Sequence, residues 1–157
     1  MPIVDRPEGL SLLLTRRATA LKRHAGQISF PGGRLESTDD GPLGAALRET
    51  EEEIGLARDF VTVAGYLRPH VIITGYWVVP VVGFVRPGFE LQLDAAEVQE
   101  AFEVPLAHLL DPANQVQRER KIGHLTIKTT EIPYRDYVIW GATAAMLLAL
   151  SRLLSEH

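Results

Sequence analysis

Three glutamates on one stretch of the chain constrain its fold and its chemistry more than any other feature. They lie in residues 48–56, with the sequence RETEEEIGL, shortly after the Pro-Gly-Gly turn of residues 31–33. In a helix, Glu49, Glu52 and Glu53 occupy positions i, i+3 and i+4 and share one face. Like charges at this spacing repel, whereas a hard divalent cation turns the same oxygens into ligands. The pattern therefore predicts a metal-assisted site for a phosphate ester or anhydride.

The helix that carries these glutamates is predicted to run from Pro42 or Leu43 to Ile54. Pro42 suits the first helical turn, and Gly55 suits the left-handed residue that follows the last one. An apolar stripe on the side opposite the glutamates is expected to face the core. The stripe consists of Leu43, Ala46, Leu47, Thr50 and Ile54.

Length and composition indicate a single domain over residues 1–157. With 46% apolar and 23% charged residues the chain is typical of a globular protein, and its net charge of −4 argues against a nucleic-acid partner. Because there is no cysteine, disulfides and a cysteine nucleophile are excluded, and a reducing cytoplasm is the expected location. No apolar run reaches the roughly 18 residues of a membrane span, so no membrane partner is expected.

Apolar segments between turn signals predict the strands of a sheet. They cover residues 1–4, 10–15, 28–30, 60–66, 76–85, 97–104, 125–130 and 132–138. The almost wholly apolar run of residues 76–85 predicts a central strand, and the last two segments predict a hairpin. A helical turn is expected at residues 105–110 and a final helix from about Ile139 to Ser155. This order of elements predicts an α/β layered domain with a mixed sheet.

The glutamate segment and the glycines before it resemble the Nudix box, here at about residues 33–56. The family pattern is Gly, five residues, Glu, seven residues, then Arg-Glu-apolar-x-Glu-Glu-x-Gly-apolar. Asp39 stands at the first Glu, eight residues rather than seven separate it from Arg48, and Thr50 fills an apolar position. The insertion leaves the role of Asp39 open. The resemblance implies a Nudix-type α/β/α sandwich and a pyrophosphohydrolase that uses Mg²⁺ or Mn²⁺.

The same resemblance implies roles for the acidic residues. Glu49, Glu52 and Glu53 would hold the metal, and Glu52 and Glu53 would also belong to the catalytic set. Members of the family often add an acidic residue from outside the box, for which Glu97 is the candidate; the alternative for Glu97 is a solvated carboxylate at a strand edge. The general base is left open between Glu52 and Glu97, and Arg48 is expected to orient a carboxylate of the helix.

Residues 13–33 narrow the resemblance to the coenzyme A pyrophosphatase branch of the family. The chain reads LLTRRA from residue 13, places Gly26 at the expected spacing and continues as FPGG from residue 30. The resemblance implies a substrate site for several phosphates, and a solvated basic loop is the alternative. In place of a second arginine the chain has Lys22, and the adjacent Arg23 supplies a guanidinium. The implied substrate-binding residues are Arg17, Lys22, Arg23, Gly32 and Gly33.

The resemblance implies hydrolysis of coenzyme A or its derivatives to 3′,5′-ADP and 4′-phosphopantetheine or its acyl form. One alternative is a Nudix enzyme for ADP-ribose, a dinucleoside polyphosphate or an oxidised nucleotide. Another is a non-catalytic domain that senses a nucleotide, which the intact glutamates disfavour. The first strand is expected to begin almost at Met1, whereas the branch usually carries more sequence upstream. The apolar final helix favours a homodimer, and Trp140 is expected to pack rather than to contact a nucleotide.

Overall fold

The computed structural model describes residues 1–72 and 74–156, in which strands and helices are interleaved along the chain. The helices are α1 (Gly41–Ile54), α2 (Leu106–Leu110) and α3 (Gly141–Ser155). The strands are β1 (Pro2–Arg6), β2 (Gly9–Arg17), β3 (Ile28–Ser29), β4 (Val61–Tyr66), β5 (His70–Val71), β6 (Trp77–Val78), β7 (Val81–Val85), β8 (Val98–Pro105), β9 (Val116–Ile122), β10 (Leu125–Tyr134) and β11 (Tyr137–Ile139).

The main sheet is mixed, as the sequence predicted. Strand β2 has β8 along one edge, while β1 and then β3 follow its other edge; β7 and β4 continue the sheet beyond β1. The pair β1–β7 is parallel, and the remaining pairs of the sheet are antiparallel. This topology brings the end of β2, the end of β4 and the starts of β1, β7 and β8 to one end of the sheet, which we call the cleft end.

Helices cover both faces of this sheet, which confirms the α/β/α arrangement. Side chains of β2 alternate between the faces, as in any strand. Leu12 and Leu14 join the core beneath α2 and α3, whereas Leu13 joins the core around Ile54 at the end of α1. The two helical layers thus pack on opposite faces of the strands that meet at the cleft end.

Two predictions about the strands were wrong. The expected strand of residues 76–85 is divided, because β6 pairs with β5 in a separate hairpin and only β7 enters the main sheet. Pro80 lies between β6 and β7 and has no amide hydrogen to donate to a ladder. The predicted hairpin between residues 125–130 and 132–138 is also wrong, because β10 runs through residue 131 without a break and pairs with the unpredicted β9 and with β11.

The bounds of α1 agree with the prediction, but the position of one glutamate does not. Gly55 follows the helix with a φ of 69°, and its N–H donates to the carbonyl of Glu51 at 2.9 Å. Glu53 was expected opposite the core, yet it is buried in the helix together with Ala45, Thr50 and Ile54. Thr50 is tolerated there because its hydroxyl donates to the carbonyl of Ala46 at 2.7 Å. The helix therefore carries a carboxylate into the interior at the cleft end.

Candidate active site

Three chain segments meet at the cleft end and carry the implied site residues. Arg17 ends β2, the turn of residues 31–33 follows β3, and Glu97 immediately precedes β8. The N–H of Ala18 donates to the carbonyl of Glu97 at 2.9 Å, which ties the end of β2 to the start of β8. The fold thereby brings residues that are 80 positions apart beside the glutamates of α1.

Glu53 is the buried carboxylate of this site. Its exposed fraction is 5%, and its Oε2 accepts a hydrogen bond from the N–H of Gly32 at 3.1 Å. The pKa of Glu53 is raised to about 7, mainly by burial; the N–H of Gly32 and the charge of Arg17 oppose the rise, and the negative charges of Glu49 and Glu97 add to it. This carboxylate therefore gains and loses its proton near neutral pH.

Glu49 lies one helical turn before Glu53 and is packed against the glycine turn. Burial raises its pKa, the positive charge of Arg48 opposes that rise, and the charges of Glu52 and Glu97 add to it. A side chain at position 33 would collide with the Glu49 carboxylate, because the backbone of Gly33 approaches it directly. Glycine at this position lets the turn come within reach of the helix carboxylates.

Arg48 connects the helix to the loop that precedes it. Its guanidinium forms a bidentate pair with Asp39, from Nε to Oδ1 at 2.8 Å and from Nη2 to Oδ2 at 3.0 Å. Nη1 also contacts Glu49 Oε1 at 3.2 Å and Glu52 Oε2 at 3.0 Å. Hydrogen bonds from Arg48 and from the N–H of Glu36 lower the pKa of Asp39 to about 2. The extra residue before the helix thus does not prevent Asp39 from facing Arg48.

The acidic residues fit a divalent cation in the type of their donors and in their charge. The charge of Glu97 raises the pKa of both Glu49 and Glu53, the charge of Glu49 raises that of Glu53, and carboxylate oxygens suit Mg²⁺ and Mn²⁺. Glu52, by contrast, has a largely exposed side chain that is paired with Arg48. Within residues 1–72 and 74–156, no three acidic or histidine side chains converge closely enough to enclose an ion. The carboxylates are therefore suitable metal ligands by their chemistry, although their oxygens do not surround a common position in this structure.

Arg17 supplies a positive charge next to this cluster. Its Nε is buried and, within the described residues, has no hydrogen-bond acceptor, while its charge lowers the pKa of Glu53. Lys22 and Arg23 are exposed in the loop between β2 and β3. His24 Nδ1 and Gln27 Oε1 are 3.0 Å apart in the same loop, so these two side chains engage each other. The structure places Arg17 next to Glu53, whereas Lys22 and Arg23 are exposed in the loop that follows it.

Sequence reasoning missed one contact beside the site. Arg34 directly follows the glycine turn, and its Nη2 donates to the hydroxyl of Tyr76 at 2.8 Å. The guanidinium carbon of Arg34 lies 5.2 Å from the centre of the Tyr76 ring. The carbonyl of Arg34 in turn accepts a hydrogen bond from Arg48 at 3.0 Å. No local pattern could reveal a contact between residues 42 positions apart. The position of Arg34 next to Gly33 was the one indication in the sequence that its side chain lies near the site.

Two further residues considered at the sequence level lie outside this cluster. Glu100 pairs with Arg16 at 3.0 Å and accepts a hydrogen bond from the hydroxyl of Tyr137 at 3.2 Å, so its carboxylate is already engaged. Trp140 stacks under the guanidinium of Arg120, with 4.2 Å between the guanidinium carbon and the ring centre. Its contact is with the protein itself, in line with the packing interpretation.

The fold and this site together define a class of protein, and the comparison with known families gives the same class. The model of the NUDIX domain matches residues 2–125, so the chain belongs to the Nudix family. A relative from Cronobacter sakazakii, "Uncharacterized Nudix hydrolase NudL", is 38% identical over 158 residues, which cover 99% of this chain and 81% of the relative. The protein of the same description from Escherichia coli K12 is 38% identical over 155 residues, covering 96% and 78%.

Solved structures share the fold at lower identity. An Ap4A hydrolase binary complex from C. elegans aligns with a TM-score of 0.64 and 16% identity, covering 99% of this chain and 96% of that one. The Nudix hydrolase RenU from M. smegmatis aligns with a TM-score of 0.67 and 18% identity, covering 99% and 83%. The NUDIX domain of Shewanella oneidensis NrtR, complexed with ADP ribose, aligns with a TM-score of 0.51 and 20% identity over 69% and 71%.

The chain is therefore a Nudix hydrolase, a pyrophosphohydrolase that acts on nucleoside diphosphate derivatives. Hydrolases of this family generally use divalent metal ions, which agrees with the donor set on α1. In the part of the chain that the structure describes, no helix has both the length and the apolar character needed to cross a membrane.

Proposed function

We propose that this enzyme hydrolyses the pyrophosphate bond of coenzyme A or its derivatives, giving 3′,5′-ADP and 4′-phosphopantetheine or its acyl form. The observation that carries the proposal is Arg17, whose buried Nε has no acceptor within the described residues and whose charge acts on Glu53. A buried donor without a partner is costly, and a phosphate oxygen in the cleft would satisfy it. Arg17 belongs to the segment that resembles the coenzyme A pyrophosphatase signature.

The loop after Arg17 supports a substrate with more than a diphosphate. The N–H of Arg17 donates to the carbonyl of Gln27 at 2.9 Å, and the N–H of Gly26 donates to the carbonyl of Arg17 at 3.1 Å. These bonds close the base of the loop and leave Lys22 and Arg23 exposed at its rim. Coenzyme A carries a 3′-phosphate besides its diphosphate, so it offers an anion to these two cations that ADP-ribose lacks.

Hydrolysis of a pyrophosphate bond requires the protein mainly to neutralise charge and to position a water molecule. A bound Mg²⁺ or Mn²⁺ would offset the charge of the diphosphate and make a water molecule more acidic. Glu49 and Glu53 would hold the ion, and Glu52 or Glu97 would be a further ligand or the general base. Arg17 would bind a diphosphate oxygen, and the turn of Gly32 and Gly33 would let the phosphates approach the backbone.

Product analysis by mass spectrometry tests the proposal. The purified protein is incubated with coenzyme A or with ADP-ribose, each with Mg²⁺, with Mn²⁺ and with a chelator. We expect 3′,5′-ADP and 4′-phosphopantetheine, formed only with metal. AMP and ribose 5-phosphate from ADP-ribose alone would keep the family activity and reject coenzyme A as the substrate. Cleavage of neither compound would also reject the proposed substrate and direct the search to other nucleotides.

A pair of neighbouring arginines provides a matched control for the role of Arg17. The Arg17→Gln variant is expected to raise the KM for coenzyme A, because the buried donor and its charge are lost. Arg16→Gln removes the same charge one residue earlier in the chain, where the arginine is already paired with Glu100. Equal kinetic effects of the two substitutions would contradict a direct role of Arg17 in phosphate binding.

A further inference from the structure

The loop between β7 and β8 is hydrogen-bonded to the end of α1. The last carbonyl groups of a helix have no donor within the helix itself. Here the N–H of Asp94 donates to the carbonyl of Glu53 at 2.9 Å, and the N–H of Gln92 donates to the carbonyl of Ile54 at 2.9 Å. The backbone of this loop is therefore fixed to the backbone of the residue that carries the buried carboxylate.

Asp94 then folds the chain into a tight turn that contains Glu97. Its Oδ1 accepts a hydrogen bond from the N–H of Ala96 at 3.0 Å, which is the Asx turn that aspartate and asparagine form with the second residue after them. Its carbonyl accepts from the N–H of Glu97 at 3.0 Å and from the N–H of Val98 at 2.8 Å. Asp94 thus binds the backbone immediately before, at and immediately after Glu97.

Hydrogen bonds, rather than burial, determine where Glu97 lies. Asp94 and Glu97 are both exposed, so the core does not hold either side chain. The carbonyl of Glu97 accepts from the N–H of Ala18 at 2.9 Å, which fixes the other side of its backbone. The charge of Glu97 raises the pKa of both Glu49 and Glu53, so its carboxylate lies within electrostatic reach of theirs.

We propose that Asp94 is a positioning residue, whose side chain sets Glu97 beside Glu49 and Glu53 for the binding of a divalent cation. The inference rests on the proposed role of Glu97 at the metal site. Residues that orient the ligands of a metal typically change its affinity by roughly 10–100-fold when they are substituted. The turn uses the acceptor Oδ1 and not the charge of Asp94, so the geometry of the side chain is the property that matters.

Titration with Mn²⁺ in the absence of substrate tests the proposal. Free Mn²⁺ gives an electron paramagnetic resonance signal that is lost on binding, so the affinity is measured without turnover. We expect Glu97→Gln and Asp94→Ala each to weaken Mn²⁺ binding, the second by roughly tenfold. The double variant should bind Mn²⁺ no more weakly than Glu97→Gln alone, because Asp94 acts through Glu97. Additive losses would overturn the proposal.

Two conservative substitutions separate the geometry of Asp94 from its charge. Asp94→Asn keeps the oxygen acceptor and loses the charge, so its Mn²⁺ affinity should stay within about twofold of wild type. Asp94→Glu keeps the charge, but its longer side chain does not close the same turn, so it should resemble Asp94→Ala. A loss in Asp94→Asn with wild-type binding in Asp94→Glu would assign the effect to charge and overturn the proposal. If Asp94→Ala does not fold, this pair decides.

A second Asx turn in the chain provides the matched control. The Oδ1 of Asp111 accepts from the N–H of Ala113 at 2.9 Å, so Asp111→Ala removes the same kind of hydrogen bond. Asp111 follows α2, which packs on the opposite face of the sheet from α1. The Mn²⁺ affinity of Asp111→Ala should equal that of wild type. A loss equal to that of Asp94→Ala would show a general effect of loosened turns and contradict the proposal.

The result is separate from the assignment of the substrate. Because the titration contains no nucleotide, rejection of coenzyme A leaves it valid. Wild-type Mn²⁺ affinity in Glu97→Gln would reject Glu97 as a metal ligand, and the inference with it. Weaker binding in Glu97→Gln together with wild-type binding in Asp94→Ala would keep Glu97 at the metal site and overturn the role of Asp94 alone.

Discussion

At the scale of single residues, Glu53 shows a direct conflict between folding and chemistry. The side chain is buried on α1, and both its burial and the nearby charges of Glu49 and Glu97 oppose its ionisation. A structural role alone would be better filled by an apolar residue, because burial of a charge without full compensation is unfavourable. A carboxylate that a cation or a proton must neutralise is, however, what a metal-dependent hydrolase requires.

This conflict predicts that Glu53→Gln stabilises the metal-free protein while it lowers turnover by orders of magnitude. The pKa of Glu53 is about 7 in the folded protein and 4.5 as its ordinary value, so the folded state resists ionisation more than the unfolded state does. The penalty is absent below about pH 4.5, grows as the pH rises and is complete above pH 7. We expect a gain of about 1–3 kcal/mol at pH 8 and little gain at pH 4.5.

Thermal melts with chelator at both pH values measure this difference. Glu51→Gln is the matched control, because Glu51 lies on the same helix but is partly exposed and paired with Arg58 at 3.2 Å. An equal stabilisation of Glu53→Gln at both pH values would show that charge burial is not its cause. Near-wild-type turnover at saturating Mg²⁺ would remove Glu53 from the catalytic set.

Asp39 has the opposite pH dependence. Its pKa of about 2, compared with an ordinary value of 3.8, means that its ionised form stabilises the folded state. This stabilisation is present above about pH 4 and is lost as the pH falls towards 2. Asp39→Asn should therefore lower the melting temperature at pH 7 but much less at pH 2.5. The neighbouring Asp40→Asn is the control, since the Asp40 side chain makes no capping hydrogen bond to the helix; an equal loss there would contradict the assignment to the Arg48 pair.

At the scale of elements, two glycines of the α1 region should respond in opposite ways to the same substitution. Gly44 lies inside the helix, where an added Cβ would make ordinary contacts of 3.5 Å with Asp39 and Asp40. Gly44→Ala should stabilise the protein by about 0.5–1 kcal/mol. Gly55 has a φ of 69°, and its Cβ would lie 2.9 Å from the backbone nitrogen of Gln92, so Gly55→Ala should destabilise by at least about 1 kcal/mol.

Urea denaturation measures both changes, with the slope m expected to stay constant. A decrease in stability for Gly44→Ala would mean that the loop before α1 does not accept the added methyl group. Wild-type stability for Gly55→Ala would mean that the end of the helix is free to move away from Gln92.

The elements also show which parts of the fold a single sequence can reveal. Helix α1 was predicted within one or two residues, because its end signals and its periodicity are local. Strand β9 was missed because its residues between Val116 and Ile122 are all polar or charged, pair with β10 outside the main sheet and bury little surface. The division of residues 76–85 was missed because an apolar run gives no sign of where one ladder ends and another begins, apart from Pro80.

At the scale of the whole molecule, some features of the site depend on residues that are close in the sequence, and others depend on residues that only the fold brings together. The spacing of Glu49, Glu52 and Glu53 is local, so the sequence predicted a charged cluster before any contact was known. The burial of Glu53 could not be predicted, because it depends on how α1 rests against the sheet and on the N–H of Gly32. The contact of Arg34 with Tyr76 depends on the hairpin at the cleft end, which the predicted continuous strand concealed.

Metal binding should therefore be visible in the stability of the entire chain. A ligand that binds only the folded state stabilises it by about 2.7 kcal/mol at a concentration of 100 times Kd. We expect Mg²⁺ or Mn²⁺ to raise the melting temperature, and a chelator to reverse the effect. Because Glu53 has a pKa of about 7, protons compete with the cation, and the increase should be larger at pH 8 than at pH 6.

The two helix variants separate specific binding from a general effect of ionic strength. Glu53→Gln should lose most of the metal-dependent increase in melting temperature, because it removes a charged ligand at the centre of the cluster. Glu51→Gln should retain it, since that side chain is paired with Arg58 away from the cluster. If both variants respond to metal as the wild type does, or if the increase is the same at pH 6 and pH 8, the cation binds without Glu53 and the proposed ligand set is wrong. If only Glu53→Gln loses the increase, the carboxylate that destabilises the metal-free fold is the one that binds the metal.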